Sequence, residues 1–297
     1  PQKRRRQRAR ARADFQHRVA RIRARRRLGR GLVQLFCTLV AIVAFYPFFV
    51  MVISCTHDNF NIMSKINILP GNNLAANFER LTQNINIPRG VVNSLILSVS
   101  VTVIETYFTV MAAYAFAKFE FKGKNFLFGV VLVFMMLPGQ LGIIGFFKEV
   151  QAMHLMNSYI PLIIPSIANC FAVFFYKQYM DTSLSNELIE AAIIDGCREI
   201  DIFHRLVIPI MRPAMVTQAV LTFIGTWNSY LNPLILLNDK NKFTLTLMIA
   251  TVRDATHADY GAQYLGMVIS VIPTVIIYCF GSKTIMEKIS VGAAVKG

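Results

Sequence analysis

Charge is scarce in this chain of 297 residues: Asp, Glu, Lys and Arg together make up 16% of it, where ordinary soluble domains carry about a quarter. That scarcity argues against a globular domain surrounded by water. Cysteine is limited to five residues with no Cys-x-x-Cys pair, so neither a disulfide framework nor a zinc site is expected, and buried free thiols are the default reading. The five histidines are scattered and form no His-Glu-x-x-His pattern, so no metal site is expected. No glycine-rich loop ends in Gly-Lys-Ser/Thr, so the chain is not expected to bind and hydrolyse a nucleotide by the usual loop. No catalytic residue emerges.

Apolar residues are abundant instead, at 55%. They gather in six runs, Gly31 to Cys55, Val91 to Ala117, Phe126 to Phe147, Tyr159 to Tyr176, Ala214 to Leu237 and Tyr264 to Ser282. Each is near the ~20 residues that cross a hydrocarbon core. The expected fold class is therefore all-α, a polytopic membrane protein of six transmembrane helices. Glu105 is the one charged residue inside any run. The first run is too long for a signal peptide and no small-residue cleavage site follows it.

Basic residues near span ends are retained on the cytoplasmic side. With the N-terminus inside, 24 of the 31 Lys and Arg residues fall in cytoplasmic segments. Both termini and the connection at residues 181–212 are then cytoplasmic. Residues 1–30 form a separate tail with 14 basic residues against Asp14 alone. Such a run suits nucleic acid, but beside a span anionic inner-leaflet lipid explains it better, at about 1 kcal/mol per basic residue. No nucleic-acid partner is expected. Phe15, Val19 and Ile22 recur at helical spacing, as in a surface-lying basic helix.

The connection reads "EAAIIDGCREIDIFHRLVIPI" from Glu190. Thr182 and Ser183 offer N-caps, Glu187 and Glu190 suit the positive first turns of a helix, and Asp195-Gly196 ends it. A second helix to Ile208 has Ile200, Phe203 and Val207 on one face, with Pro209 and Pro213 as stops. Ala191, Ala192 and Gly196 leave the turn bare of bulk. The pattern fits a surface for another protein, and equally an amphipathic helix covering the inner mouth of the bundle.

"EAAIIDG" followed by "IPIMRP" resembles the EAA loop of ABC importer permeases. "TFIGTWNSYLNPLIL", "NSLILSVSV" with "AAYAFAKFEFKGK", "MLPGQLGIIGFF" and the closing "VGAAVKG" are similar to the carbohydrate-uptake branch, the smaller permease of a maltose-type pair. The likeness runs from about Leu32 to Gly297. Ser185 stands where the family usually has proline, Arg198 where it has a serine-like residue, and Gly145 where proline is frequent; these departures bear on helix boundaries.

The resemblance implies a type I importer permease fold over residues 31–297, with a coupling loop at 181–212 and a C-terminal tail at 283–297. It implies that Glu190, Ala191, Ala192, Asp195, Gly196 and Pro209 dock on a cytoplasmic ATPase, Glu190 meeting basic groups there. Partners would be a second permease in a heterodimer, an ATPase dimer and an extracytoplasmic solute-binding protein. ATP and Mg would be used by the ATPases, with no cofactor bound by this chain.

For the translocation path the candidates are Trp227, Asn228, Tyr230 and Asn232, which combine a stacking face with amide groups, and Glu105; the bland alternative for the first four is helix packing through hydrogen bonds. Gly139, Gly142 and Gly145 suit close helix packing. Glu105, at a depth where ionisable groups are costly, is expected to face the bundle interior and to bond the partner subunit; the alternative is a proton-coupled secondary transporter using Glu105. The polar outer segment Asn238 to Gln263 resembles the family loop that reaches toward the binding protein. Gly292, Lys296 and Gly297 belong to an extended tail that, by the resemblance, reaches the ATPase interface.

Overall fold

The computed structural model describes residues 30–253 and 258–294, with side chains to residue 281. Its elements are helices: α1 (Arg30–Ser54), α2 (Asn59–Ser64), α3 (Leu74–Asn84), α4 (Ile87–Lys118), α5 (Lys124–Met136), α6 (Ile143–Ala152), α7 (Ile160–Ile163), α8 (Cys170–Ser183), α9 (Asn186–Ile194), α10 (Glu199–Ile202), α11 (Ile208–Trp227), α12 (Leu231–Leu236), α13 (Leu245–Ala250) and α14 (Tyr260–Ala294). Among the described residues the β-structure is one isolated bridge, Arg253 to Ala258. Five stretches are long and apolar enough to span a membrane: 30–54, 87–118, 160–183, 199–227 and 260–281. A sixth is a bent pair, and the all-α membrane fold stands.

The bend corrects the third run, expected as one helix from Phe126 to Phe147. The chain turns by 92° between α5 and the 3-10 turn that leads into α6. Pro138 causes the break: it disfavours helical geometry at the residue before it, and Leu137 is extended, with ψ 130°. Gly139, Gly142 and Gly145 lie beyond the break, and a Cβ on any of them would meet nothing within 4 Å. Among the described residues they therefore face no close helix neighbour of this chain.

The fifth run is also corrected at both ends. α10 passes into α11 through a π turn at Phe203–Val207, giving one continuous helix from Glu199 to Trp227. Pro209 and Pro213 therefore do not stop it. A wider turn directly before Pro209 relieves the clash and the lost hydrogen bond that a proline imposes on the preceding turn. At the other end the helix stops at Trp227, and α12 is a separate short piece.

Two buried clusters divide the bundle. At the end carrying α9 and α10, Tyr114, Tyr176, Met180, Leu184, Ile202, Phe203 and Met211 pack together. At the far end, Leu81, Phe223, Trp227, Leu245, Met248, Ile249 and Val252 do so. The second cluster corrects the reading of residues 238–263 as a polar loop. α13 buries Leu245, Leu247, Met248 and Ile249, and Asn93 of α4 holds the approach to it by donating to the carbonyls of Asn241 and Phe243 at 2.8 and 2.9 Å. The expected buried thiols reduce to Cys55; Cys37, Cys197 and Cys279 face outward.

Candidate functional site

The connection at 184–207 is built from its caps outward. Thr182 and Ser183 belong to the end of α8, and the cap of α9 is Ser185, whose hydroxyl accepts from the Leu188 N–H. α9 closes with the Cys197 N–H on the Ala192 carbonyl and the Gly196 N–H on the Ile193 carbonyl, both at 3.0 Å. This paired closure needs a left-handed residue, and Gly196 supplies it at φ +79°. Arg198 begins the next helix without a side-chain cap; its guanidinium pairs with Asp201 at 2.8 Å.

Ile189, Ile202, Phe203 and Val207 are buried and seat the two helices on the bundle. Ile200, expected on that face, is exposed, and Ile202 takes its place; the turn at Gly196 and the π turn set a rotation that spacing alone does not reveal. Glu190, Ala191, Asp195, Gly196 and Pro209 are exposed and Ala192 half-buried. Around them Leu188, Ile193 and Ile194 are also uncovered, Ile194 by 84%. An acidic group ringed by bare aliphatic side chains at a protruding turn is a surface suited to another macromolecule.

That surface is fastened to α4. The Lys118 ammonium donates to the Leu184 carbonyl and to Asn186 Oδ1. The Tyr114 hydroxyl donates to Glu199 at 3.3 Å. His204 Nδ1 lies 2.8 Å from the Ile200 carbonyl, which requires a proton on Nδ1. Nε2 is then free to accept from the Tyr107 hydroxyl at 3.3 Å. The Phe203 ring packs against Tyr107 and Tyr114, centroids 5.9 and 5.8 Å away.

Deeper in the bundle Glu105 is 3% exposed. Its Oε1 accepts from Thr222 Oγ1 at 2.7 Å, Asn169 Nδ2 at 3.1 Å and Gln218 Nε2 at 3.4 Å. Glu105 thus faces the interior as expected, and these three donors come from this chain, Asn169 at the start of α8 and Gln218 and Thr222 on α11. An ionisable side chain at that depth is costly unless it finds polar partners, and these three donors supply them. Asn169, Gln218 and Thr222 were not singled out by the sequence, because no local pattern links positions so far apart to Glu105.

The path candidates separate into two kinds. Trp227 is 1% exposed, donates its indole N–H to the Ser270 carbonyl at 3.0 Å and stacks on Phe223 at 5.9 Å. Its ring is committed to packing and offers no free face. Asn228 and Tyr230 instead line an open cavity of about 380 Å³ with Met51, Thr246, Ser270 and Val271. Asn232 is exposed outside it. At the chain end, α14 continues through Gly292 to Ala294, so an extended backbone is not found there; proline-free sequence after Pro273 lets the helix run on. Lys296 and Gly297 lie outside the described residues.

A third polar group fastens the far end. Asn77, fully buried, donates to the Cys55 and His57 carbonyls at 2.8 and 2.9 Å and accepts from Arg80. Arg80 pairs at 2.6 Å with Asp259, itself 1% exposed. Sequence reading passed over both. Among the described residues no group of three or more His, Cys, Asp or Glu could hold a metal.

Comparison with known proteins matches residues 105–286 to the family described as "binding-protein-dependent transport system inner membrane component". The arabinooligosaccharides transport system permease protein AraQ of Bacillus subtilis is 36% identical over 205 residues, 69% of this chain and 72% of that one. The diacetylchitobiose uptake system permease protein NgcG of Streptomyces coelicolor is 30% identical over 258 residues, covering 86% and 85%. In structure, a chain of a bacterial ABC transporter involved in import of the acidic polysaccharide alginate aligns with TM-score 0.72 at 21% identity, over 85% of this chain and 95% of that one.

Proposed function

This chain belongs to the family of binding-protein-dependent transport system inner membrane components, and from that premise we propose that it is the permease subunit of an ATP-driven importer for sugars or oligosaccharides. The observation that carries the proposal is the bare turn at 186–200, with Glu190 and Ile194 exposed on helices fastened to α4 and continuous with α11. A rigid protrusion of this kind passes a push to the spans on either side and so alternates access between the two membrane faces.

In this reading a second permease, two ATPases that use Mg and ATP, and an extracytoplasmic binding protein complete the assembly. The chain itself does no reaction chemistry. Both termini lie on the cytoplasmic side of a bacterial cell membrane, and the basic tail rests on anionic lipid. Sugars are the substrate class that the relatives' names support, with Asn228 and Tyr230 as path residues. Glu105, already holding three donors, offers no support to a proton carrier.

The test is a complex purified through this chain and reconstituted with its binding protein. Glu190→Ala is expected to leave the chain inserted, to cut the co-purifying ATPase severalfold and to abolish ATP-dependent uptake of arabinotriose, of diacetylchitobiose, or of lactose, the sugar named for a relative 28% identical to this chain. Wild-type ATPase yield together with undiminished uptake would sink the reading.

A further inference from the structure

The Glu105 cluster and the fastening of the 184–207 turn share the same three helices. α4 carries Glu105 at its middle and meets the turn through Tyr107, Tyr114 and Lys118, which at 1.5 Å per residue lie about 3, 14 and 20 Å further along. α8 brings Asn169 to Glu105 and at its other end runs through Leu184 directly into α9. α11 brings Gln218 and Thr222 and is continuous with α10. Every span that reaches the carboxyl is therefore also tied to the turn.

Rods joined at one end splay when that end is pushed, whereas rods joined at two levels move together. A leucine at this position would fill space without the cost of a buried polar group, so packing alone does not account for a glutamate. Asn169 is used at both ends of its amide: Nδ2 donates to Glu105 while Oδ1 accepts from the Ala172 N–H at 3.1 Å. That double use fixes the carboxyl against the start of α8.

We propose that Glu105 is a positioning residue for transport: by accepting from Asn169, Gln218 and Thr222 it holds α4, α8 and α11 as one body, so that displacement of the 184–207 turn reaches the middle of the membrane. The proposal rests on the importer reading above. Glu105 touches no substrate in it, and the hub uses its acceptor oxygen rather than its charge or a proton.

The experiment compares the reconstituted complex with its Glu105→Leu, Thr222→Val and Glu105→Gln variants, measuring sugar carried per ATP hydrolysed with the same three sugars. Glu105→Leu is expected to lower the ratio about tenfold, within the range by which residues of a transmitting network change coupling, while ATP hydrolysis continues. Thr222→Val, nearly the same shape and lacking the shortest of the three bonds, should lower it severalfold. It also stands in should Glu105→Leu fail to assemble. Glu105→Gln, which keeps an acceptor oxygen, should recover most of the ratio; a merely structural role would change yield and melting and leave the ratio alone. An unchanged ratio in Thr222→Val or Glu105→Leu overturns the proposal, and so does a Glu105→Gln variant as poor as Glu105→Leu, which would make the ionisable proton essential. Absence of ATP-driven uptake of all three sugars by the parent complex would overturn the importer reading and this proposal with it.

Discussion

α1 and α4 are both long apolar helices, yet α1 is the more apolar and the less buried: 6% of its most apolar window is covered, against 39% for α4. In water the order would be reversed. Lipid removes the drive to hide apolar side chains, and association falls to close packing and hydrogen bonding. The covered face of α4 accordingly consists of Gly90, Asn93, Ser94, Ser98, Glu105, Thr109 and Ala113 among others. Val43 and Phe45 of α1 are both 73% exposed. On α4 polar and small residues share the buried face with Leu97, Val101 and Val110, whereas the Phe, Val and Leu side chains of α1 stay uncovered.

The largest effect is expected from a matched pair of substitutions, one on each helix. A Cβ at Gly90 would lie 3.1 Å from the Leu245 backbone and 3.0 Å from the Met248 sulfur, whereas one at Gly31 of α1 meets nothing within 4 Å. Gly90→Leu should therefore cost about 3 kcal/mol, the upper range for overpacking, and Gly31→Leu nothing measurable. Thermal melting of the detergent-solubilised chain would decide it, and equal shifts for the two would contradict the contrast.

A smaller effect is expected at Asn77. Asn77 ties the C-terminal end of α1 through the Cys55 and His57 carbonyls, so Asn77→Leu leaves two carbonyls without their donor at a cost of about 2 kcal/mol. Amide exchange should rise at residues 55–73 and stay unchanged in α4. A rise spread evenly over both helices would show that α1 is held along its length.

The smallest concerns the cap of α2. Asp58 accepts from the Asn61 backbone, and the side-chain amide of Asn61 holds its carboxyl below the usual carboxylate range. A pKa lowered in the folded chain gives stability that is present above the unfolded value, near pH 4, and lost as pH falls through the lower folded value. Asp58→Ala should cost about 0.5 kcal/mol at neutral pH, the low end for a cap, and the difference from the parent should vanish in acid. A difference that persists in acid would contradict the assignment.

Much of this architecture is legible in the sequence, and the exceptions have physical reasons. The spans are visible because their length and composition are set by the bilayer, and Glu105 is visible because it breaks an apolar run. Its donors are not, since Asn169, Gln218 and Thr222 come from 64 to 117 positions away. The tie at Gly196 follows from local backbone chemistry and is found where expected. Pro209 and Pro213 mislead because a π turn, which leaves no compositional mark, absorbs them. Trp227 reads as a stacking face and is instead a packed indole, because its partner Ser270 is 43 positions away. Leu245 to Val252 sits between polar stretches and is too short to read as a span, although its own composition is apolar.

In the importer reading proposed above, the turn at 186–200 is where an ATPase pushes on this chain. A photo-crosslinking side chain placed at Ile194, and for contrast at Val43 of α1, tests it most directly in the assembled complex. An ATPase adduct from position 194 that changes in yield when ATP is bound is expected, and no ATPase adduct from position 43. No ATPase adduct from 194, or equal adducts from both positions, would contradict it.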